Sequence, residues 1–426
     1  MLRFNENNEV IEKEEYKAIL VGLQMNEDIS YSMEELEGLA EAAGMKVLGR
    51  MIQNLERPNN TTYIGKGKAE ELAELCSNME ADTVLFNDEL SGMQLRNLED
   101  ALNVRVIDRT ILILDIFAAR AVSKEGKLQV ELAQLQYRMP RLIGFGKSLS
   151  RLGGGIGTRG PGEKKLETDR RHIQRRMEDI KTEIVEIKNN RTVQRAKREK
   201  SGLPIVALVG YTNAGKSAIM NKLLALVERE EKMVLEKDML FATLDTSQRS
   251  IKLDTNYEFI LIDTVGFVSK LPHALVKAFK ATLEEVNYAD LLLHVVDASY
   301  EANNFHIEVT NKVLSEIGAG NKEKIVVYNK IDLVEGEVLP SGDTESIYIS
   351  AKRGDHFEQL VDIIKEKLFS DRIRAKLLIP FGRGDISSYL CEKALVMSMD
   401  YVETGTLFDV ELSHADYSRL KEYDTV

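Results

Sequence analysis

An apolar run that ends in a glycine-rich octapeptide constrains this chain more than any other feature. Residues 203–209 read LPIVALV, residues 210–217 read GYTNAGKS, and a helical pattern follows over residues 219–227. In this strand–loop–helix context, G-x-x-x-x-G-K-S forms a loop whose backbone N–H groups surround the phosphates of a nucleotide. The sequence therefore predicts an α/β nucleotide-binding domain, with Lys216 on the β- and γ-phosphates and the Ser217 hydroxyl on Mg²⁺. The expected phosphate contacts are Gly210, Tyr211, Thr212, Asn213, Ala214, Gly215, Lys216 and Ser217.

A second motif follows the next apolar strand, residues 259–262. An Asp at the end of such a strand can hold Mg²⁺ through a bound water, and a Gly three residues later can donate its N–H to the γ-phosphate. We expect Lys216 and Gly266 to act in hydrolysis. The residues of this motif are Asp263, Thr264, Val265 and Gly266.

The segment between these two motifs predicts a first switch. Thr243 is expected to be the second hydroxyl ligand of Mg²⁺ and to act in hydrolysis. The residue type alone would equally suit an ordinary loop threonine. Its position between the phosphate loop and Asp263 favours the functional interpretation. The predicted switch contacts are Phe241, Ala242, Thr243, Leu244 and Asp245.

Two further motifs predict recognition of guanine. Residues 325–328 form a strand pattern that leads into Asn329, Lys330 and Asp332. The Asp332 carboxylate can accept hydrogen bonds from N1–H and the 2-amino group of guanine, an edge that adenine lacks, so discrimination of roughly 10⁴-fold is attainable. The stem of Lys330 can pack on the base while Asn329 braces the loop. A final strand pattern leads into Ser350, Ala351 and Lys352, where a backbone N–H can meet the guanine O6.

The order of these motifs predicts the fold of the domain. Each motif lies at the C-terminal end of a strand pattern, which is typical of a doubly wound, mostly parallel sheet with its ligand at the carboxyl edge. Residues 250–262 form a hairpin pattern that should supply one antiparallel strand.

Phe267 stands where many nucleotide hydrolases of this kind place a Gln that orients the attacking water. A phenyl ring cannot hydrogen-bond to water. We therefore expect slow unassisted hydrolysis that a partner stimulates.

The chain is too long for one ordinary core, and four regions are predicted. Residues 1–109 alternate strand and helix patterns and predict a small α/β domain. Residues 110–200 predict a helical hairpin with a glycine-rich basic loop at 144–162. Residues 201–370 form the nucleotide-binding domain, and residues 371–426 form a small α+β domain.

The predicted hairpin rests on two apolar seams with spacings of four and three residues. They are Leu128, Leu132, Leu135, Met139 and Leu142, and Ile173, Met177, Ile180, Ile184 and Ile187. Residues 138–200 hold 18 Lys and Arg against 8 Asp and Glu, although the whole chain carries a net charge of −12. This surplus indicates a face for a polyanion or a solvated charged helix, and charge alone does not choose between them. Basic residues beside the glycines favour polyanion contact: Arg141, Lys147, Arg151, Arg159, Lys164 and Lys165.

Composition excludes several classes of protein. Cys76 and Cys391 match no metal-ligand spacing and indicate reduced thiols in a cytoplasmic protein. The polar N-terminus does not resemble a signal peptide, and no apolar stretch is long enough to span a membrane. We expect no stable membrane insertion.

Taken together, these motifs resemble those of the HflX GTPases, within the Obg–HflX group of translation-associated P-loop GTPases. The resemblance rests on residues 210–217, 240–245, 263–268, 157–163, 131–135 and 271–273. It implies a cytoplasmic, Mg²⁺-dependent GTPase that binds the large (50S) ribosomal subunit and acts in ribosome splitting, rescue, recycling or biogenesis. It also implies that an apolar residue at Phe267 is normal, whereas Ala218 departs from the family's usual Thr.

Two functions are therefore weighed. In the first, residues 138–200 contact ribosomal RNA, and the protein is a monomer when it is off the ribosome. In the second, the chain is a GTP-gated adaptor whose seams and basic loop meet a protein or membrane partner. The lack of a lipidation signal weakens the membrane version.

Overall fold

The computed structural model describes residues 3–4, 10–11, 16–142, 161–199, 203–226, 247–253, 257–270, 283–300, 303–334, 336 and 346–425. The chain divides into two compact units. The first extends to Arg195 and also takes in described residues 265–270 and 283, and the second holds the remaining residues from Ala196 onward.

The first unit contains a four-stranded parallel sheet. Its strands are β1 (Tyr16–Gln24), β2 (Met45–Asn54), β3 (Thr83–Phe86) and β4 (Arg105–Asp108), in the order β2-β1-β3-β4. The helices between them are α1 (Ser30–Ala42), α2 (Lys66–Met79) and α3 (Gly92–Leu102), and α4 (Arg109–Arg120) follows β4. Two caps fix helix starts: Ser91 forms a capping box with Gln94, and the Asp108 carboxylate accepts the Ile111 N–H.

Two long helices follow α4 in the chain. They are α5 (Lys124–Leu142) and α6 (Pro161–Glu199). The predicted seams meet, because Leu128, Leu132 and Ile180 form a buried cluster on which Leu135, Met177, Ile184 and Ile187 pack. Residues 144–160 of the predicted loop lie outside the described residues, and the prediction was wrong for Pro161 and Gly162, which begin α6.

The second unit contains a six-stranded sheet in the order β10-β9-β8-β5-β7-β6. The strands are β5 (Ile205–Gly210), β6 (Ser247–Lys252), β7 (Glu258–Asp263), β8 (Leu291–Asp297), β9 (Lys324–Asn329) and β10 (Ser346–Tyr348). All neighbouring pairs are parallel except β6 with β7, which confirms the predicted antiparallel hairpin.

Helices cover both faces of this sheet. On one face, α7 (Lys216–Leu226) and α9 (Phe357–Phe369) bury Ile219, Leu223, Leu360 and Ile364 against the strands. On the other face, α8 (Asn303–Ile317) packs against β5 and β8. The predicted doubly wound α/β fold is confirmed.

The C-terminal part of the second unit is a three-stranded antiparallel sheet, β11 (Arg372–Pro380), β13 (Gly405–Ser413) and β12 (Leu395–Val402), in that order. Helices α10 (Gly384–Lys393) and α11 (His414–Leu420) cover its apolar face. Strands and helices in this part agree with the predicted α+β character, and Ser413 caps α11 by accepting the Asp416 N–H. The exact boundaries of the four predicted regions stay predictions.

Candidate nucleotide-binding site

The loop between β5 and α7 has a backbone that only glycine accommodates at two positions. Gly210 has a φ of 146°, and a Cβ there would lie 2.1 Å from the Val295 carbonyl oxygen. Gly215 has a φ of 93°, and a Cβ there would lie 2.2 Å from the Asn329 Nδ2. Both glycines are thus required by positive φ and by close approach of a neighbouring strand end.

Lys216 is buried at the start of α7, with its ammonium directed back over the loop. Its Nζ donates to the carbonyl oxygens of Gly210 (3.1 Å) and Tyr211 (2.8 Å). Burial lowers the pKa of Lys216 to about 8, and the nearby Asp263 carboxylate acts in the opposite direction. A buried ammonium beside an N-terminal helix turn is well placed to meet an anion.

Ser217 and Asp263 lie next to each other. The Ser217 Oγ donates to Asp263 Oδ2 at 2.7 Å, and Asp263 is fully buried at the end of β7. The adjacent Thr264 donates its hydroxyl to the Leu208 carbonyl at 2.6 Å and so fastens β7 to β5. Hydroxyl and carboxylate oxygens form the donor set that Mg²⁺ prefers, and Mg²⁺ takes few protein ligands when phosphates complete its shell. Within the described ranges there is no group of three or more His, Cys, Asp and Glu that could hold a metal.

The structure describes only some of the predicted switch residues. Residues 241–245, with the predicted ligand Thr243, lie outside the described residues. Val265, Gly266 and Phe267 follow Asp263 in sequence and belong to the first compact unit. Phe267 is buried, with 2 % of its surface exposed.

Asn329 joins three segments of the predicted site. Its Nδ2 donates to the Ala214 carbonyl in the phosphate loop at 2.9 Å, and its Oδ1 accepts the Ala351 N–H at 3.0 Å. The residue itself is buried. The structure thus brings the phosphate loop and both predicted guanine loops together, as the motif order suggested.

Asp332 is held in place by the neighbouring loop. Its Oδ1 accepts the Ser350 hydroxyl at 2.7 Å, and the same hydroxyl accepts the Arg353 N–H at 3.1 Å. Lys352 is exposed. Asp332 and Ala351 are therefore oriented by side-chain contacts that the motifs alone did not reveal.

Several residues beside the site were missed by sequence reasoning. The Lys330 Nζ pairs with Asp297 Oδ2 at 2.8 Å. The His306 ring stacks on Tyr211 of the phosphate loop, with ring centroids 3.9 Å apart. The motif pattern gave no signal for either partner, because Asp297 ends β8 and His306 lies in α8, and only tertiary packing brings them to the site.

In the first unit, Ser269 contacts a buried ion pair. Arg109 and Glu35 are each 2 % exposed in their side chains and are paired. Ser269 accepts from Arg109 at 3.0 Å and donates its hydroxyl to Glu35. The next residue, Lys270, forms an ion pair with Asp88 at 2.5 Å. The segment that follows Gly266 is thereby fixed to the carboxyl edge of the first sheet.

The structure describes one of the basic side chains that lie beside the predicted glycine-rich loop. The Arg141 guanidinium makes contacts within the protein: it donates to the Leu90 carbonyl at 2.8 Å and lies over the Tyr137 ring. The other basic side chains named beside the glycine-rich loop are not described. His294 is buried in β8, and this burial, with smaller effects of Lys324 and Lys216, lowers its pKa to about 4. In the described part of the chain, no helix is long and apolar enough to cross a membrane.

Known families match along most of the chain. Residues 30–118 match the family described as GTP-binding GTPase N-terminal, and residues 120–198 match GTP-binding GTPase Middle Region. Residues 205–330 match the family described as 50S ribosome-binding GTPase.

Individual relatives match nearly end to end. The chain is 48 % identical over 415 residues to GTPase HflX of Caldanaerobacter subterraneus subsp. tengcongensis, covering 97 % of this chain and 95 % of the relative. It is 44 % identical over 412 residues to GTPase HflX of Alkalihalophilus pseudofirmus, covering 95 % and 96 %. A solved GTP-binding protein from Sulfolobus solfataricus in complex with GDP is 27 % identical and covers 83 % of this chain and 98 % of that one, with a TM-score of 0.45.

Proposed function

The chain belongs to the HflX family of GTPases, and from that premise we propose how its residues bind the nucleotide and which partner completes hydrolysis. It binds GTP and hydrolyses it to GDP and phosphate. The observation that carries the residue assignment is the Asn329 amide, which is bonded to both Ala214 and Ala351. One side chain thus fixes the distance between a phosphate-binding loop and two base-reading loops.

Asp332 reads the base in this proposal. Ser350 donates to one carboxylate oxygen and orients the group, so the carboxylate can face guanine N1–H and the 2-amino group. Ala351 supplies a backbone N–H near the guanine O6, and the stem of Lys330 lies on the face of the base. Adenine would leave the carboxylate without donors in a partly enclosed site, which is costly.

The phosphates lie over the loop of residues 210–217. Lys216 turns its ammonium from the carbonyls of its own loop to the β- and γ-phosphates, and the backbone N–H groups of the loop donate to the same oxygens. Ser217, with Asp263 behind it and Thr243 from the first switch, would hold Mg²⁺. When bound, Mg²⁺ neutralises charge on the β- and γ-phosphate oxygens.

Hydrolysis needs a water in line with the γ-phosphate. Gly266 donates its N–H near that phosphate, and Thr243 and Lys216 help to hold the reacting group in position. Phe267 is apolar and buried, so it offers the water no hydrogen bond. We propose that intrinsic turnover is slow and that a ribosomal partner supplies the missing positioning.

The proposed partner is the large ribosomal subunit, contacted through residues 138–200. Two observations support this: the match of residues 205–330 to a 50S ribosome-binding GTPase family, and the surplus of positive charge in residues 138–200. Neutralising RNA phosphates releases counterions, so binding should weaken steeply with salt. The protein would act in the cytoplasm in splitting, rescue, recycling or assembly of ribosomes, and would be a monomer when free.

Base recognition is tested with Asp332→Asn. The variant should bind GDP about 100-fold more weakly and should gain affinity for xanthosine diphosphate, because one acceptor becomes a donor. Asp362→Asn, an exposed carboxylate on α9, is the matched control. Unchanged GDP affinity in Asp332→Asn would remove Asp332 from this role.

The ribosomal role is tested by co-sedimentation with purified large subunits in the presence of GDP, GTP or a non-hydrolysable analogue. We expect enrichment with the analogue, loss of binding at high salt and faster GTP turnover when subunits are added. Binding that survives nuclease treatment of the RNA would indicate a protein adaptor instead. Equal sedimentation with every nucleotide would count against a GTP-gated interaction.

A further inference from the structure

The turn at residues 297–300 lies between the two halves of the nucleotide site. It leaves β8, the strand between β5 and β9 in the sheet. Strand register pairs Val295 with Gly210 at the phosphate loop and Asp297 with Asn329, which begins the loop of residues 329–332, called the guanine loop below. The turn therefore begins where a single segment can contact both loops.

Asp297 contacts the guanine loop. One carboxylate oxygen pairs with the Lys330 Nζ at 2.8 Å, and the other accepts the Ser299 N–H at 3.0 Å and the Ser299 hydroxyl at 2.6 Å. The side chains of Asp297 and Lys330 are 19 % and 21 % exposed. Ser299 holds the Asp297 carboxylate in one orientation. The oxygen that pairs with the Lys330 ammonium therefore has a defined position.

The backbone conformation and the flexible side chain of Lys330 both make a fixed partner useful. Its φ of 68° places it in the left-handed region, which is uncommon for residues other than glycine. Its long stem also has many rotamers, and a base that packs on it must first order it. The ion pair with Asp297 anchors the end of this stem in the nucleotide-free protein.

The same turn reaches the phosphate loop through stacked rings. The Tyr300 ring stacks on His306, with centroids 4.7 Å apart and an interplanar angle of 13°. His306 in turn stacks on Tyr211, at 3.9 Å and 14°. Tyr211 is buried within the phosphate loop, with 3 % of its surface exposed. Aromatic stacking of this kind resists displacement of any one ring.

We infer that Asp297 is a positioning residue for Lys330, and that the turn at 297–300 aligns the guanine loop and the phosphate loop through Asp297 on one side and Tyr300–His306 on the other. The inference rests on the nucleotide site proposed above. It assigns to this turn a part in retaining guanine nucleotides.

The first test measures the rate of release of fluorescent GDP from the full chain. Asp297→Asn keeps the shape and the contact with Ser299 but loses the ion pair, and should release GDP ~3- to 10-fold faster. Lys330→Met keeps the stem and removes the charge. If Asp297 acts through Lys330, adding Asp297→Asn to Lys330→Met should produce no further acceleration. A full additional effect in the double variant would overturn the inference, as would an unchanged rate in Asp297→Asn.

The control for this test is Glu323→Gln, which breaks a surface pair with Lys367 and should not change release. The experiments distinguish an error in the proposed nucleotide site from an error in the role inferred for Asp297. Unchanged GDP affinity in Asp332→Asn would reject the site itself. Weakened affinity there, together with wild-type release in Asp297→Asn, would reject only the role of Asp297.

The second test concerns the stacked rings. Tyr300→Ala should speed GDP release by about threefold. Tyr300→Phe keeps the ring and should release GDP at the parental rate. The thermal unfolding of the nucleotide-free protein is measured beside the rates, since a merely structural role would lower the melting temperature of the Ala variant without a selective change in release. Equal release by the Ala and Phe variants would remove the stack from the inference.

Discussion

Asn329 donates its Nδ2 hydrogen bond to the Ala214 carbonyl at 2.9 Å and thereby joins the proposed guanine loop to the proposed phosphate loop. The other end of the same amide accepts the Ala351 N–H at 3.0 Å. A side-chain amide donates at its nitrogen and accepts at its oxygen, so it can serve both contacts at once. The three loops therefore depend on a single buried side chain.

Asn329→Asp should weaken GDP binding by about 10- to 100-fold, because a carboxylate cannot donate to the Ala214 carbonyl and would be buried against it. Equilibrium titration with fluorescent GDP measures the effect. Asn321→Asp, at an exposed position before β9, is the matched control. Parental affinity in Asn329→Asp would show that the loops keep their spacing without this amide.

Gly215→Ala should act on the same contact from the other side. The new Cβ would meet the Asn329 Nδ2 at 2.2 Å, and the φ of 93° is strained for alanine. We expect loss of measurable nucleotide binding and a lower unfolding temperature. Gly382→Ala, where nothing lies within 4 Å, should change neither quantity. A Gly215→Ala protein that bound GDP normally would contradict the described loop geometry.

Lys216 predicts a pH dependence of nucleotide affinity. Its pKa of about 8 in the nucleotide-free protein means that the ammonium loses its proton as pH rises through 8. Phosphates favour the charged form, so binding above pH 8 must take up a proton, and the affinity should fall by up to about tenfold per pH unit. Below pH 8 this contribution should be flat. GDP titrations from pH 6.5 to 9.5 measure it, and a Lys216→Ala variant should lack the slope.

His294 predicts a pH dependence of stability with the opposite sign. The imidazole is buried with a pKa of about 4, whereas the unfolded residue takes up a proton near pH 6.5. Protons therefore favour the unfolded state over this range, and stability should fall by roughly 2 kcal/mol between pH 7 and pH 5 from this residue alone. Urea unfolding of the parent and of His294→Leu at both pH values isolates it. Identical losses in the two proteins would contradict a neutral, buried His294.

The features that could be predicted from the sequence are those set by hydrophobic periodicity and motif spacing, namely the strands and the long helices. Strand patterns before Gly210, Asp263 and Asn329 defined the parallel strands, and the heptad seams defined the two long helices. Each of these signals is local: a period of two, of 3.6 or of 3.5 residues can be read without knowledge of distant partners.

The sequence did not reveal contacts between distant segments. Asp297 lies over thirty residues before Lys330, and Glu35 lies 234 residues before Ser269. Neither pair has a spacing rule, because sheet order and helix packing bring the partners together. Arg141 illustrates the converse: its position beside a glycine-rich loop suggested polyanion contact, whereas the fold directs it to Leu90 and Tyr137.

Removing the carboxylate of Glu35 should be among the most destabilising single changes in the first unit. Glu35→Ala leaves the Arg109 guanidinium buried without its counter-ion, at a cost of about 3–5 kcal/mol in the free energy of unfolding. Ser269→Ala removes only a hydroxyl from the same network and should cost about 1–2 kcal/mol. Glu37→Ala is the matched control, since Glu37 lies on the same helix and forms a half-exposed pair with Arg50 that should contribute under ~1 kcal/mol. Urea unfolding measures all three. Equal losses for Glu35→Ala and Glu37→Ala would show that water reaches the Arg109 guanidinium, and the described burial of this pair would then be wrong.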